Sequence, residues 1–269
     1  MPLWVAAILG VVEGLTEYLP VSSTAHIELA GVLLKVSDMP GFQSFDIFIQ
    51  LGAILAVMVE YRVLLWSRIA GLRKKDPKAV QLFSALIAGF MPAAIVGVLA
   101  KHAIQKYLFG LTTIAIAFII GGVVMIGVDA WYKRKAAESL DGIDNVTVRH
   151  GFIIGLGQLF SLIPGTSRSM STIVTGQLCG LTTATSAEFS FLLGLITLGA
   201  ATVYTGFKDR HELMVAGGGA MAVGVVVSFF VAWAVIHGFI RYLQKRGLAP
   251  FGYYRIALAA VIFYFTCSH

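Results

Sequence analysis

The chain has 269 residues, of which 58% are hydrophobic and only 13% are charged, and its mean hydropathy is +0.84. A soluble domain needs roughly 25–35% charged residues on its surface, so this composition excludes an ordinary soluble protein and predicts one that is embedded in a bilayer. The formal net charge of +6 does not require nucleic acid, because the basic residues fall in loops that set membrane topology. No polar stretch is long enough for a second domain, so we expect a single integral membrane domain over residues 1–269.

Six apolar stretches are predicted to cross the membrane. They cover residues 45–60, 83–100, 111–131, 187–207, 213–240 and 255–266. Fourteen Lys and Arg residues fall in 61–80, 133–149 and 241–255, whereas the intervening polar breaks hold only four. Because basic loops near span ends stay in the cytoplasm, the three rich loops are predicted to be cytoplasmic. The predicted fold class is therefore an all-α polytopic membrane protein with six transmembrane helices.

Two further blocks, residues 2–35 and 151–183, are not needed as crossings, and each carries a proline near its middle. Aligned on Pro20 and Pro164, an offset of 144, VEGLTEYLPVSST faces LGQLFSLIPGTSR. This pattern predicts an internal repeat, about 1–100 and about 150–240, whose two copies are inverted. Each block is then a re-entrant helical hairpin whose turn lines a shared polar chamber, since irregular backbone at bilayer depth must be buried in protein or line a cavity. The alternative is that each block is an ordinary membrane-spanning helix with a kink.

The first block contains two acids, Glu13 and Glu17, which lie four residues apart and therefore on one face of a helix. Buried like charges repel, and each is costly in hydrocarbon unless a partner neutralises it. A divalent cation is the simplest partner, and oxygen ligands favour Mg²⁺ or Ca²⁺. A protonated pair that hydrogen-bonds between helices is the alternative.

The second block contains Arg168 within PGTSRSMST, residues 164–172. A guanidinium at membrane depth is costly, and its planar fork suits bidentate binding of phosphate. Hydroxyl groups and backbone N–H groups beside it can bind an anion where a helix restarts after the Pro-Gly turn. We therefore predict an anion site around Arg168, with a structural ion pair to Glu13 or Glu17 as the alternative.

One chamber that brings together the two acids, Ser22, Ser23, His26 and Arg168 would supply what phosphoryl transfer requires. It would hold positive charge for the phosphate, a nucleophile, and a group able to transfer protons near neutral pH. In isolation, His26 could equally be a core histidine. Phosphate chemistry is therefore the leading functional prediction from the residues themselves.

The stretches EGLTEYLPVSSTAH, residues 13–26, and PGTSRSMST resemble the two signature motifs of the bacitracin-resistance family of undecaprenyl pyrophosphate phosphatases. The resemblance covers essentially the whole chain. It implies metal-dependent hydrolysis of undecaprenyl diphosphate, which recycles the lipid carrier of bacterial cell-wall synthesis. It also implies a multi-pass protein of the bacterial cytoplasmic membrane with its active site open to the periplasm. The expected partners are the bilayer and a polyprenyl diphosphate lipid, with a homodimer also allowed.

The resemblance assigns roles to matching residues. It implies metal-binding or acid–base roles for Glu13 and Glu17, a nucleophilic role for Ser23, and proton transfer for His26. Arg168, with Ser167 and Thr172, would form the phosphate clamp. The expected substrate-binding residues are Ser22, Thr24, Thr166, Ser167, Arg168, Ser169 and Thr172. Many family members have Gly where this chain has Ala25 and Met170, but neither departure replaces a reactive group.

A transporter of an anionic polyprenyl phosphate lipid is the alternative from another class, because inverted repeats with hairpins at mid-membrane also describe carriers. A scaffold with polar interhelical contacts does not explain why Arg168 and the acids occupy matched turns. A phosphatase of the phosphatidic-acid type is disfavoured, since Val174 stands where such enzymes have a histidine. The sequence leaves open the choice between Ser23 and water as attacking group, the preferred metal, and the role of Glu28.

Overall fold

The computed structural model describes residues 1–108, 110–208 and 217–267, with side chains described outside 101–107 and 264–267. Within these ranges the named elements are all helices. The α-helices are α1 Leu3–Thr16, α2 Ser23–Leu33, α3 Phe42–Glu60, α4 Arg62–Arg73, α5 Pro77–Tyr107, α6 Leu111–Lys135, α7 Val148–Gln158, α8 Arg168–Leu178, α9 Thr183–Lys208, α10 Gly218–Arg246 and α11 Ala249–Cys267. A short 3₁₀ helix, Leu159–Leu162, follows α7. The all-helical fold class is thus confirmed for the described residues.

Among the described residues, five helical segments are long and apolar enough to cross a bilayer. They are Phe42–Glu60, Pro77–Ala100, Leu111–Glu138, Thr183–Lys208 and Gly218–Arg246. These correspond to five of the six predicted spans, although the start predicted at residue 213 lies outside the described residues. The sixth predicted span falls within α11, whose apolar segment Ala249–Phe263 is shorter. The chain is therefore a multi-pass membrane protein.

The sequence-based placement of Arg255 in a cytoplasmic loop is wrong. Arg255 lies inside α11 with its side chain fully buried, and its guanidinium carbon lies 4.5 Å from the centre of the Phe118 ring of α6. Without it, thirteen basic residues in the predicted cytoplasmic loops still outnumber the four in the other breaks. Of those four, Arg210 and the side chains of Lys101 and Lys106 lie outside the described residues.

Two helix pairs, α1–α2 and α7–α8, contain the blocks around Pro20 and Pro164. Their second helices each have 11 residues and each follows a serine with positive φ, which is 72° at Ser22 and 74° at Ser167. Because these serines are 145 residues apart, the structure aligns the two blocks one residue away from the alignment on the prolines. The turns, rather than the prolines, are the matching features of the two blocks.

The first helix of each pair packs closely against a long helix through glycine. A methyl group added at Gly14 of α1 would lie 2.7 Å from the carbonyl oxygen of Ser228 in α10. Likewise, a methyl group at Gly155 of α7 would collide with the carbonyl of Gly89 in α5. Small residues allow helix backbones to approach this closely in membrane proteins. Each pair is thus held against a long helix, which brings its turn into the protein interior.

Candidate active site

The turn after α1 and the turn before α8 meet in the interior of the protein. Ser169 Oγ donates a hydrogen bond to the carbonyl of Leu19, at 2.9 Å. The guanidinium of Arg255 donates to carbonyls of both turns, to Gly165 at 2.8 Å and to Pro20 at 3.4 Å. The two turns are therefore joined directly and also through one buried cation of α11.

An ion pair between Arg168 and Glu17 lies where the turns meet. Arg168 Nη2 is 3.0 Å from Glu17 Oε1, and the two side chains are only 8% and 4% exposed. Arg168 Nη1 donates to the carbonyl of Ser190 in α9, at 2.8 Å. Ser23 Oγ donates to the other oxygen of Glu17, Oε2, at 2.6 Å. The carboxylate of Glu17 thus binds the guanidinium with one oxygen and the serine hydroxyl with the other.

This ion pair leaves Arg168 able to bind an anion. Arg168 Nε is buried and has no hydrogen-bond partner in the described part of the chain. The guanidinium carbon lies 5.8 Å from the centre of the Tyr18 ring, and Tyr18 is itself fixed by a hydrogen bond of 2.9 Å to the carbonyl of Ala53. A guanidinium has five N–H donors, so those not used by Glu17 and Ser190 remain for a ligand.

A polar cavity of about 180 Å³ lies beside the ion pair. It is lined by Glu17, Ser22, Ser23, Thr24, Gln50, Ser161, Pro164, Gly165, Ser167, Arg168, Thr197 and Leu198. Six of the predicted site residues are in this lining: Glu17, Ser22, Ser23, Thr24, Ser167 and Arg168. The structure therefore brings residues of both motifs to one chamber.

The remaining predicted residues from the second motif lie outside the lining of this cavity. Thr172 Oγ1 lies 2.6 Å from Ser190 Oγ and donates to the carbonyl of Arg168 at 2.9 Å. Ser169 joins the two turns, as described above. Thr166 lines a second, mainly apolar cavity of about 450 Å³ between α6 and α8. Ser169 and Thr172 thus hold the turn and Arg168 in place.

Glu13 lies one helical turn before Glu17 and is fully buried. Neither of its carboxylate oxygens has a hydrogen-bond partner among the described residues, and the same is true of Asp46 Oδ1. Glu13 is close enough to Glu17, Asp46 and Arg168 to interact electrostatically with all three. Buried carboxylate oxygens without donors are groups that a cation would stabilise.

The acidic residues at this site match the ligands of a Mg²⁺ site better than those of a zinc site. Within the ranges that the structure describes, no group of three or more His, Cys, Asp or Glu residues could hold a metal ion. An all-protein site of the zinc type is therefore not supported there. Mg²⁺ is usually held by one or two carboxylates together with water and substrate phosphate oxygens. Glu13 and Glu17 provide the two carboxylates that this pattern requires, although only Glu17 lines the cavity.

His26 is not part of the cavity lining. Its Nδ1 lies 2.7 Å from the carbonyl oxygen of Ser22, and its Nε2 lies 2.7 Å from the hydroxyl of Tyr254 in α11. The rings of His26 and Tyr254 are stacked, with centroids 5.8 Å apart. Both ring nitrogens are therefore engaged by groups of the protein.

Comparison with known proteins identifies the family. A family model described as "Bacitracin resistance protein BacA" matches residues 6–261. The chain belongs to the BacA bacitracin-resistance family.

Relatives of this BacA-family chain carry a consistent name. An "Undecaprenyl-diphosphatase" of Sorangium cellulosum (strain So ce56) is 50% identical over 259 residues, covering 96% of this chain and 84% of the relative. Another from Rhizorhabdus wittichii is 42% identical over 256 residues, covering 95% of this chain and 94% of the relative. An "Undecaprenyl-diphosphatase 2" of Rhodospirillum rubrum is 43% identical over 257 residues, covering 96% and 92%.

Some residues of this BacA-family site were not predicted from sequence. Gln50, Ser161 and Thr197 line the cavity, and Ser190 holds Arg168. Each is a polar residue in a largely apolar segment, and polar groups within membrane segments face the interior of the bundle. The same signal, a single charge within the apolar run of α11, could have identified Arg255 as a buried residue.

Proposed function

We propose that this BacA-family protein is an undecaprenyl-diphosphate phosphatase. It hydrolyses undecaprenyl diphosphate to undecaprenyl phosphate and inorganic phosphate, and thereby recycles the lipid carrier of the cell wall and confers bacitracin resistance. The observation that carries the proposal is the contact series from Ser23 through Glu17 to Arg168 beside a polar cavity. The name shared by relatives up to 50% identical supports the same substrate.

Arg168 binds the diphosphate in this mechanism. Its guanidinium can donate two parallel hydrogen bonds to phosphate oxygens, and its positive charge stabilises the charge that develops on them. Arg168 is also the first residue of α8, and helix N-termini favour anions. Gly194 gives the guanidinium room, since an added methyl group there would lie 2.9 Å from Arg168 Cζ.

Ser23 and Glu17 form the nucleophile and its base. Glu17 takes the proton of the Ser23 hydroxyl as that oxygen attacks the terminal phosphorus, and the bond from that phosphorus to the bridging oxygen breaks. Undecaprenyl phosphate leaves, and water then hydrolyses the phosphoserine to release inorganic phosphate. If water attacks directly instead, Glu17 takes the proton of that water. Both routes consume one water and break one phosphoanhydride bond.

Glu13 and Glu17 are proposed to hold a divalent cation, Mg²⁺ or Ca²⁺. When bound, such an ion would neutralise negative charge on the diphosphate. The two unpartnered, buried oxygens of Glu13 support this assignment. Without a cation or a proton, Glu13 would remain an unpaired buried charge, which is strongly destabilising.

The membrane arrangement that we propose has six crossings and two re-entrant pairs. Helix α1 has 14 residues, and α2, α7 and α8 have 11 each. At about 1.5 Å per residue these helices are about 16–21 Å long, which is shorter than the hydrocarbon core of about 30 Å. Each pair therefore enters and leaves through the same face of the membrane, and α3, α5, α6, α9, α10 and α11 cross it.

The inverted repeat, about 1–100 and about 150–240, is part of the same proposal. Between the two repeats, α1 corresponds to α7 and α5 corresponds to α10. The contact of α1 with α10 therefore corresponds to the contact of α7 with α5, and both pairs of helices pack together. The second repeat includes residues 209–216, which lie outside the described residues. Together with the basic loops, this arrangement supports a bacterial cytoplasmic-membrane protein whose site faces the periplasm. A homodimer stays a prediction.

Release of inorganic phosphate from undecaprenyl diphosphate by the purified protein tests the proposal. Wild type should release phosphate, a chelator should suppress the release, and Glu17→Gln should lower it by at least about a hundredfold. Glu60→Gln is the matched control, since Glu60 is bonded to Trp233 at the far end of α3. Wild type that releases no phosphate, or Glu17→Gln that equals wild type, contradicts the proposal. Movement of the lipid across vesicles without phosphate release would indicate a carrier.

A further inference from the structure

The side chain of His26 closes the first turn of α2 onto Ser22. Ser22 has φ of 72°, a left-handed conformation that is uncommon for residues other than glycine and persists only where neighbouring contacts hold it. Its carbonyl faces two donors of residue 26, the backbone N–H at 3.4 Å and the ring Nδ1 at 2.7 Å. The shorter of these two bonds comes from the imidazole ring.

The partners of the ring determine where its proton lies. A carbonyl oxygen can only accept, so His26 Nδ1 must carry the hydrogen. In the neutral ring, Nε2 is then the acceptor for the Tyr254 hydroxyl, which lies 2.7 Å away. The two rings are nearly parallel, at 10° to each other. The Ser22 carbonyl thus fixes the tautomer of His26, and Tyr254 fixes the orientation of its ring.

The second helix pair contains the same arrangement without an imidazole. Ser167 has φ of 74°, and its carbonyl accepts from the backbone N–H of Ser171 at 3.1 Å and from Ser171 Oγ at 2.9 Å. Ser171 follows Ser167 by four residues, as His26 follows Ser22. A serine hydroxyl is neither an acid nor a base near neutral pH. At the matching position, the hydrogen bond to the carbonyl is therefore the shared feature.

We propose that His26 is a positioning residue rather than the proton-transfer group expected from the family resemblance. Its Nδ1–H holds Ser22 in the left-handed conformation and thereby sets the hydroxyl of Ser23 against Glu17, while Tyr254 orients the ring. The inference rests on the proposed function, because that function assigns Ser23 and Glu17 their roles. It explains why the ring lies outside the cavity lining yet touches the residue next to the nucleophile.

Four substitutions at one position separate positioning from proton transfer. His26→Ser reproduces the donor of Ser171, and His26→Asn places an amide N–H near the position of Nδ1. His26→Ala has no donor, and His26→Gln reaches toward the position of Nε2 instead. We expect the serine and asparagine variants to keep kcat within about threefold of wild type. The alanine and glutamine variants should lose about tenfold to a hundredfold in kcat, because the buried Ser22 carbonyl loses the shorter of its two hydrogen bonds, with KM little changed.

The contrary outcome is equally specific. Serine and asparagine variants as slow as His26→Ala, while all of them melt like wild type, would overturn the proposal in favour of proton transfer. Retention of activity by His26→Gln alone would also overturn it. Glu17→Gln is assayed in parallel. If wild type itself releases no phosphate, the proposed function fails instead.

A measurement without substrate tests the same geometry. Spectra of ¹⁵N-histidine-labelled protein, compared with His26→Ala, report which ring nitrogen of His26 carries the hydrogen. We expect the Nδ1–H tautomer at neutral pH, and a hydrogen on Nε2 alone would overturn the proposal. This readout does not depend on phosphatase activity.

Tyr254→Phe tests the second part of the proposal, because it keeps the ring and removes the hydroxyl. It should lower kcat in the wild-type protein but have no further effect in His26→Ser, where the ring it orients is absent. Tyr253→Phe is the matched control, since Tyr253 is adjacent and 63% exposed. An equal loss in both backgrounds would refute the role of Tyr254.

Discussion

Replacing Gly194 by alanine should displace Arg168 without removing any polar group. Gly194 lies on α9 against the guanidinium, and an added methyl carbon would lie 2.9 Å from Arg168 Cζ and Nη1 and 3.0 Å from Nη2. Favourable contacts between carbon atoms begin at about 3.5 Å. The guanidinium must therefore move by about half an ångström or more.

That movement should affect catalysis more than folding. Arg168 is held by Ser190 at 2.8 Å and by Glu17 at 3.0 Å, so any shift disturbs both bonds. Because a misplacement of about 1 Å can lower a rate by roughly a hundredfold, half that displacement predicts a loss of about tenfold in kcat/KM. The helix itself should gain, since alanine is favoured over glycine in helices by about 0.8–1 kcal/mol.

Gly199→Ala is the matched control for this prediction. Gly199 lies on the same helix, and among the described residues an added methyl group there would meet no atom within 4 Å beyond its chain neighbours and the backbone of its own helix. Phosphate release from undecaprenyl diphosphate and thermal unfolding are measured for both variants. We expect Gly194→Ala to be slow with a melting temperature close to that of wild type, because the helix gain offsets the disturbed bonds of Arg168, and Gly199→Ala to be active. Full activity of Gly194→Ala, or equal loss in both, would refute the reasoning about Arg168.

Three further predictions concern groups around the cavity. Arg255→Met should lower both the melting temperature and kcat/KM, because each buried carbonyl left without a donor costs about 1–3 kcal/mol; unchanged melting would count against the joining of the two turns by Arg255. Glu13→Gln should raise the Mg²⁺ concentration needed for half-maximal phosphate release by about tenfold or more, and an unshifted titration would argue against metal binding. Thr172→Val removes the hydroxyl bonded to Ser190, so kcat/KM should fall by about threefold to tenfold; activity equal to wild type would contradict that support.

The long helices could be predicted from sequence because their burial in lipid depends on their own composition. The start of α6 at Leu111 was predicted to the residue. Helix α5, in contrast, begins at Pro77 rather than at residue 83, since a helix can continue beyond the apolar window into a basic loop. Hydropathy detects the membrane segment, whereas caps and loop packing determine where a helix begins.

The site could be predicted only in part. The motifs correctly placed Glu17, Ser23 and Arg168 in one cavity. The alignment on prolines missed the matching turn by one residue, because the backbone conformation of Ser22 and Ser167 depends on contacts made after folding. The burial of Arg255 could have been inferred from its position in an apolar run, but its hydrogen-bond partners could not. Its partners come from distant segments of the chain, so no local window of sequence contains them.

The hydrogen bonds of Arg255 to both turns have a consequence for biosynthesis. The carbonyls of Pro20 and Gly165 belong to segments that leave the ribosome well before α11. Until that helix inserts, both carbonyls lack this donor in surroundings where an unpaired polar group is costly. We therefore expect phosphatase activity to appear only after α11 has inserted. An incompletely synthesised protein in the membrane would then not hydrolyse the lipid diphosphate.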